Sequence, residues 1–73
     1  MGKTIYTKEH AHLVAQLKKA RVHAGLRQNV VADRLGHTQS YISKLEAGQR
    51  RIDIVQLKRL AKLYKKELDY FLQ

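Results

Sequence analysis

Gln39, Ser40, Ser43 and Lys44 are hydrogen-bonding side chains set around two apolar residues, Ile42 and Leu45. A helical advance of about 100° per residue gathers the four, with Ala47, on one face and turns Ile42 and Leu45 to the other. On that face Gln39 offers a donor and an acceptor to a base edge, and Lys44 offers donors suited to guanine or phosphate. The two serines are small enough to let a helix enter a major groove. No acidic residue interrupts the face. Taken alone, the pattern also describes a solvated polar face, so the neighbouring residues decide.

Those neighbours are cationic: Arg27, Arg34, Lys44, Arg50 and Arg51 flank the segment. A helix that reads bases needs such charges on either side, because phosphate contacts fix register and supply much of the affinity without carrying sequence information. Gln28 stands at the start of a short helix, where free backbone N–H groups and the positive end of the dipole favour a phosphate. Tyr41, one turn ahead of Lys44 and beside Ser40, carries a hydroxyl that can reach a phosphate or, in the alternative, packs into the core.

Elements able to hold this face follow from punctuation. The chain lacks proline, and three of its four glycines, Gly25, Gly36 and Gly48, separate segments with apolar residues at helical spacing. Thr7 caps a first helix over residues 8–24, whose stripe is Leu13, Val14, Leu17, Ala20 and Ala24. A second runs over residues 28–35 and buries Val31 and Leu35, with Ala32 small enough for a neighbouring helix to approach closely and Arg27 a poor cap. Thr38 caps a third over residues 39–47, and Asp53 caps a fourth with the stripe Val55, Leu57, Leu60, Ala61 and Tyr64. A last turn around Leu68, Phe71 and Leu72 closes an all-α, five-helix domain over residues 7–73, preceded by a flexible basic arm over residues 1–6.

Length and charge narrow the function. At 73 residues the chain holds one small domain, and 15 Lys and Arg against 6 Asp and Glu give a net charge of +9. A field this positive draws nucleic acid, anionic membrane or an acidic protein. Without cysteine there is no disulfide, thiolate metal site or thiol nucleophile. No apolar run approaches the roughly 18 residues of a membrane span, and a cytoplasmic location is expected. The start Met1-Gly2 lacks the Ser or Thr of a myristoylation signal, because Tyr6 holds that position. No glycine-rich phosphate loop or paired carboxylates support enzyme chemistry. Of His10, His12, His23 and His37, the two that lie two residues apart on a helix point to different faces, no cysteine joins the set, and neither a metal nor another cofactor is expected.

From about Leu17 to Leu72 the chain resembles the Cro and phage-repressor-type, lambda-repressor-like helix-turn-helix family. The residues that carry the likeness are Leu17-Lys18-Lys19-Ala20-Arg21, Gly25-Leu26-Arg27-Gln28, Val31-Ala32-Asp33-Arg34-Leu35-Gly36, Gln39 to Gly48, and Leu60-Ala61-Lys62. The resemblance implies a DNA-binding domain whose third helix reads bases through Gln39, Ser40, Ser43 and Lys44. Arg27, Gln28, Thr38, Tyr41, Gln49, Arg50 and Arg51 form the expected phosphate-contacting set. It also implies an ion pair between Arg21 and Glu46, whose acid would otherwise lie unpaired on the inner flank of helix three. Two positions depart from the family: Arg27 replaces a small hydroxyl cap, and Lys65 replaces the glycine after helix four, leaving that helix free to run toward Glu67.

The reading that results is a sequence-specific regulator of transcription, a repressor or switch, that occupies a near-palindromic operator in double-stranded DNA as a homodimer. Phage switches, restriction-modification controllers and antitoxins share this build. Tyr64, Tyr70 and Phe71, in a crowded apolar C-terminus, are the expected dimer contacts. No small-molecule ligand or membrane partner is expected. The rival reading is a protein-interaction module, an antitoxin-like adaptor docking an acidic partner, but such a face wants apolar anchors that Gln39, Ser40, Ser43 and Lys44 do not provide.

Overall fold

The computed structural model describes residues 7–72, and the expected arm over residues 1–6 lies outside them. Five helices follow in order: α1 (Lys8–His23), α2 (Gln28–Leu35), α3 (Gln39–Glu46), α4 (Ile54–Leu63) and α5 (Leu68–Leu72). No strand occurs among the described residues. The capping residues explain three of the starts. Thr7, Thr38 and Asp53 accept the backbone N–H groups of His10, Tyr41 and Gln56 at 3.0, 3.1 and 2.7 Å, each bond stabilising its helix by about 1 kcal/mol. Arg27 starts α2 with no side-chain cap. Helices α1 and α3 stop one residue short of expectation, with Ala24 and Ala47 as C-caps.

The core is shared by every helix. Leu17 and Ala20 of α1 meet Val31, Ala32 and Leu35 of α2, Ile42 and Leu45 of α3, and Leu57, Leu60 and Ala61 of α4, with Tyr64 and Phe71 closing the end. Burial of each large side chain contributes roughly 1.5–3 kcal/mol. Ala20 and Ala32 are almost wholly covered, and their small side chains permit close helix approach. α2 packs on α3, and α1 packs on both α3 and α5, so the outer face of α3 is aimed by a core on its inner side.

Two stripe positions are corrected. Val55 is 63% exposed, because about 160° of helix rotation separates it from Leu57. Its neighbour Gln56 is buried instead. Ala24, at the end of α1, is exposed beyond the last helical turn.

The boundary between α4 and α5, which Lys65 left open toward Glu67, falls early. Helix α4 ends at Leu63, and Lys65 takes the left-handed conformation at φ 59°. That shape lets the Lys66 N–H reach the Ala61 carbonyl at 2.9 Å, which closes the helix end. Gly36 makes the same turn after α2 at φ 75° without a Cβ to strain it. For lysine the conformation costs about 1 kcal/mol. Lys65→Gly is therefore expected to raise stability by about that amount and the melting temperature by about 4–8 °C. A melting curve no higher than the parent's would place the strain elsewhere.

Two of the three residues expected at a two-fold contact lie inside the chain. Tyr64 and Phe71 are 4% and 1% exposed, so neither has surface to offer a second copy. Tyr70 is half-buried, edge-on to Phe71 at 5.1 Å and under the Lys66 ammonium at 4.6 Å. Its carbonyl accepts from the Gln16 amide at 3.2 Å, tying α5 to α1. The apolar C-terminus is crowded because it seals the open end of the core.

Candidate nucleic-acid interface

Residues 36–38 join α2 to α3. The His37 N–H closes α2 on the Ala32 carbonyl at 2.8 Å, and Thr38 then caps α3. Two short helices are thus set at a fixed angle by one left-handed glycine and one threonine. With Ile42 and Leu45 each 1% exposed on the inner side, Gln39, Ser40, Ser43 and Lys44 all stand exposed on the outer side. The structure brings these four together on one helix face.

Arg50 and Arg51 follow α3 without a helix of their own. The Gln49 N–H donates to the Lys44 carbonyl at 2.9 Å, which bends the chain back beside the end of α3. Lys44, Gln49, Arg50 and Arg51 line an open recess of about 640 Å³, three cations and an amide around a space that suits an anionic group. Arg27 is exposed at the opposite end of the motif, at the start of α2. Arg34 is not part of this flank; it lines a separate recess with His23, Lys65 and Lys66.

Arg21 and Glu46 form the ion pair that the family likeness implied. Arg21 Nε and Nη2 donate to the two carboxylate oxygens of Glu46 at 2.7 and 3.2 Å, while Nη1 donates to the Leu26 carbonyl at 2.8 Å. Side-chain exposures of 12% and 5% place the pair largely out of water. It joins α1 to the end of α3 and to the loop before α2. The amide of Gln28 completes it, donating to Glu46 Oε1 at 3.0 Å. This corrects the expected role of Gln28, because its side chain is turned inward to the carboxylate. Only the backbone N–H groups at the start of α2 remain for a phosphate.

Burial pushes the Tyr64 phenol well above the ordinary tyrosine value of 10.0, the Glu46 carboxylate adds to the rise, and the Arg21 guanidinium opposes it. A group whose folded pKa is raised stays protonated while the unfolded chain ionises. Its contribution is full below about pH 10 and is lost as pH rises above that value. Stability is expected to fall with pH in that alkaline range, and Tyr64→Phe should flatten the decline in denaturant titrations. An equal decline in the variant would assign it to other groups.

One constellation escaped the sequence reading. The His37 and Tyr41 rings stack at 4.0 Å and 14°. Gln56 Nε2 lies 3.1 Å from both His37 Nε2 and the Tyr41 hydroxyl, and the Arg50 guanidinium lies 5.0 Å from the Tyr41 ring centre. A glutamine one turn before Leu60 on an apolar stripe was the available signal, since a core-facing amide demands partners. Among the described residues no three His, Cys, Asp or Glu side chains cluster as a metal site would require. No helix among them is long and apolar enough to cross a membrane.

A family model described as "Helix-turn-helix" covers residues 17–71. No curated protein and no solved structure matches the chain.

Proposed function

Since the chain belongs to the helix-turn-helix family of the Cro and phage-repressor type, whose domains bind DNA, we propose that it is a sequence-specific transcriptional regulator acting by operator occupancy. The observation that carries the reading is the exposed face of α3. Gln39, Ser40, Ser43 and Lys44 present donors and acceptors from a helix whose other side is fixed in the core. Gln39 and Lys44 read base edges, and the serines allow the helix to lie deep in the major groove. Arg27, Thr38, Tyr41, Gln49, Arg50 and Arg51, with the backbone at the start of α2, hold the phosphates on either side. Binding that excludes competing proteins needs no catalysis and no cofactor.

The short α3 spans few base pairs, so a homodimer on a near-palindromic operator is the arrangement that supplies enough contacts, with recognition helices about 34 Å apart. With Tyr64 and Phe71 inside the core, exposed apolar side chains free for a two-fold contact include Ile54, Val55 and Leu72, at 55%, 63% and 61% exposure, beside Val22 on α1. A docking module is disfavoured by the same α3 face, which carries no apolar anchor.

Selection from a random duplex library, followed by footprinting, tests the proposal. A recovered consensus with two related half-sites is expected, and recovery of unrelated sequences bound equally would overturn it. Arg27 separates stability from binding. Arg27→Ser supplies the missing cap and should stabilise the fold by roughly 0.5–1 kcal/mol. The same change should weaken binding to all duplexes and lower the magnitude of the salt slope by about 0.9 if one phosphate contact is lost. An unchanged slope would remove Arg27 from the interface.

A further inference from the structure

We propose that Gln56, a buried residue of α4 with no place on the exposed face, is a positioning residue that presents the Tyr41 hydroxyl hydrogen to a DNA phosphate beside Arg50. The inference rests on the DNA reading above and adds a residue to it. Gln56 is 8% exposed, a polar residue buried on the inner side of α4. A primary amide nitrogen carries two hydrogens, and Gln56 Nε2 has two partners at 3.1 Å, His37 Nε2 and the Tyr41 hydroxyl oxygen. Both hydrogens are therefore committed.

Two consequences follow from that count. His37 Nε2 must accept, which places the ring hydrogen of neutral His37 on Nδ1. The Tyr41 oxygen must also accept, which leaves its own hydrogen free to donate outward, and an accepted bond polarises the hydroxyl toward donation. Were the amide turned over, Gln56 Oε1 would accept from both neighbours and the Tyr41 hydrogen would be spent inward. The orientation of one amide thus decides whether Tyr41 can hold a phosphate.

The arrangement also spans the motif. Gln56 belongs to α4, His37 to the turn between α2 and α3, and Tyr41 to α3, while Arg50, against the Tyr41 ring, belongs to the loop that follows. His37 stacks on Tyr41 and keeps the phenol from swinging away. The amide therefore registers the recognition helix against α4 and aims a donor and a cation at the same side.

The test combines a mutant cycle with a spectroscopic readout. Tyr41→Phe is expected to weaken a selected duplex by roughly 3- to 10-fold. Gln56→Leu should weaken it by a similar factor, and adding Tyr41→Phe to Gln56→Leu should cost nothing more. Lys44→Ala should cost the same factor in either background. Losses that multiply, or wild-type affinity in Gln56→Leu, would overturn the proposal while leaving the DNA reading intact. A wild-type chain that retains no duplex would overturn both. Because Gln56→Leu can also perturb folding, the wild-type protein supplies a second arm. ¹⁵N NMR of the His37 ring in mildly alkaline buffer should show the hydrogen on Nδ1, and a hydrogen on Nε2 would mean that the amide is reversed and the proposal wrong.

Discussion

Arg21→Ala is expected to destabilise the fold by about 3–5 kcal/mol, because it leaves the Glu46 carboxylate buried with only the Gln28 amide for company. A domain of this size holds about 4–11 kcal/mol in all, taking the usual stability per residue. The variant should therefore melt far below the parent, or be unfolded at ordinary temperatures. DNA binding would fail with the fold. Most of this loss is the cost of an orphaned charge, so replacing both partners separates it from the worth of the pair. Arg21→Met with Glu46→Leu should recover much of the stability, although the Leu26 carbonyl still loses its donor. A single variant that melts with the parent would contradict the geometry of the pair.

Gln39→Ala is expected to act at the other extreme, on recognition with the fold intact. Gln39 is exposed at the first position of α3, and nothing in the core depends on it. Its loss should cost about 1–3 kcal/mol on the preferred duplex and relax the preference at one base position. Affinity for unrelated duplexes should hardly move. Competition binding against single-base variants of the selected site reads both effects. Equal weakening on every duplex would make Gln39 a positioning residue and shift the register of α3 in the groove.

The fold was legible where local chemistry and the long-range core agree. Thr7, Thr38 and Asp53 are strong caps, and all three start helices. Val31, Ile42, Leu45 and Leu60 repeat at helical spacing, and all are buried. The end of α4 was not legible because sequence offers no sign that a lysine will take a left-handed turn against its own preference. Tyr64 and Phe71, expected at a two-fold contact, are buried for a related reason. Apolar crowding at a terminus looks the same whether it meets a second chain or closes its own core, and only the approach of α5 to α1 decides.

The candidate site was legible on one face and hidden on the other. Exposed residues of α3 depend on a periodicity that a single helix carries. The Gln28 amide and the Gln56 bridge depend on elements distant in sequence, 18 residues from Glu46 in the first case and 15 from Tyr41 in the second. Both amides turned out to serve carboxylate, imidazole and phenol groups within the chain, partners that no local pattern names.

Amide NMR of the labelled protein, titrated with a selected duplex, shows directly whether α3 is the surface that meets DNA. The largest shift changes are expected along Gln39 to Lys44, with a second set at Arg27, Arg50 and Arg51, while Ala15, Lys18 and Val22, exposed on α1, stay still. Changes centred on those residues of α1, or on α5, with α3 unmoved would contradict α3 as that surface.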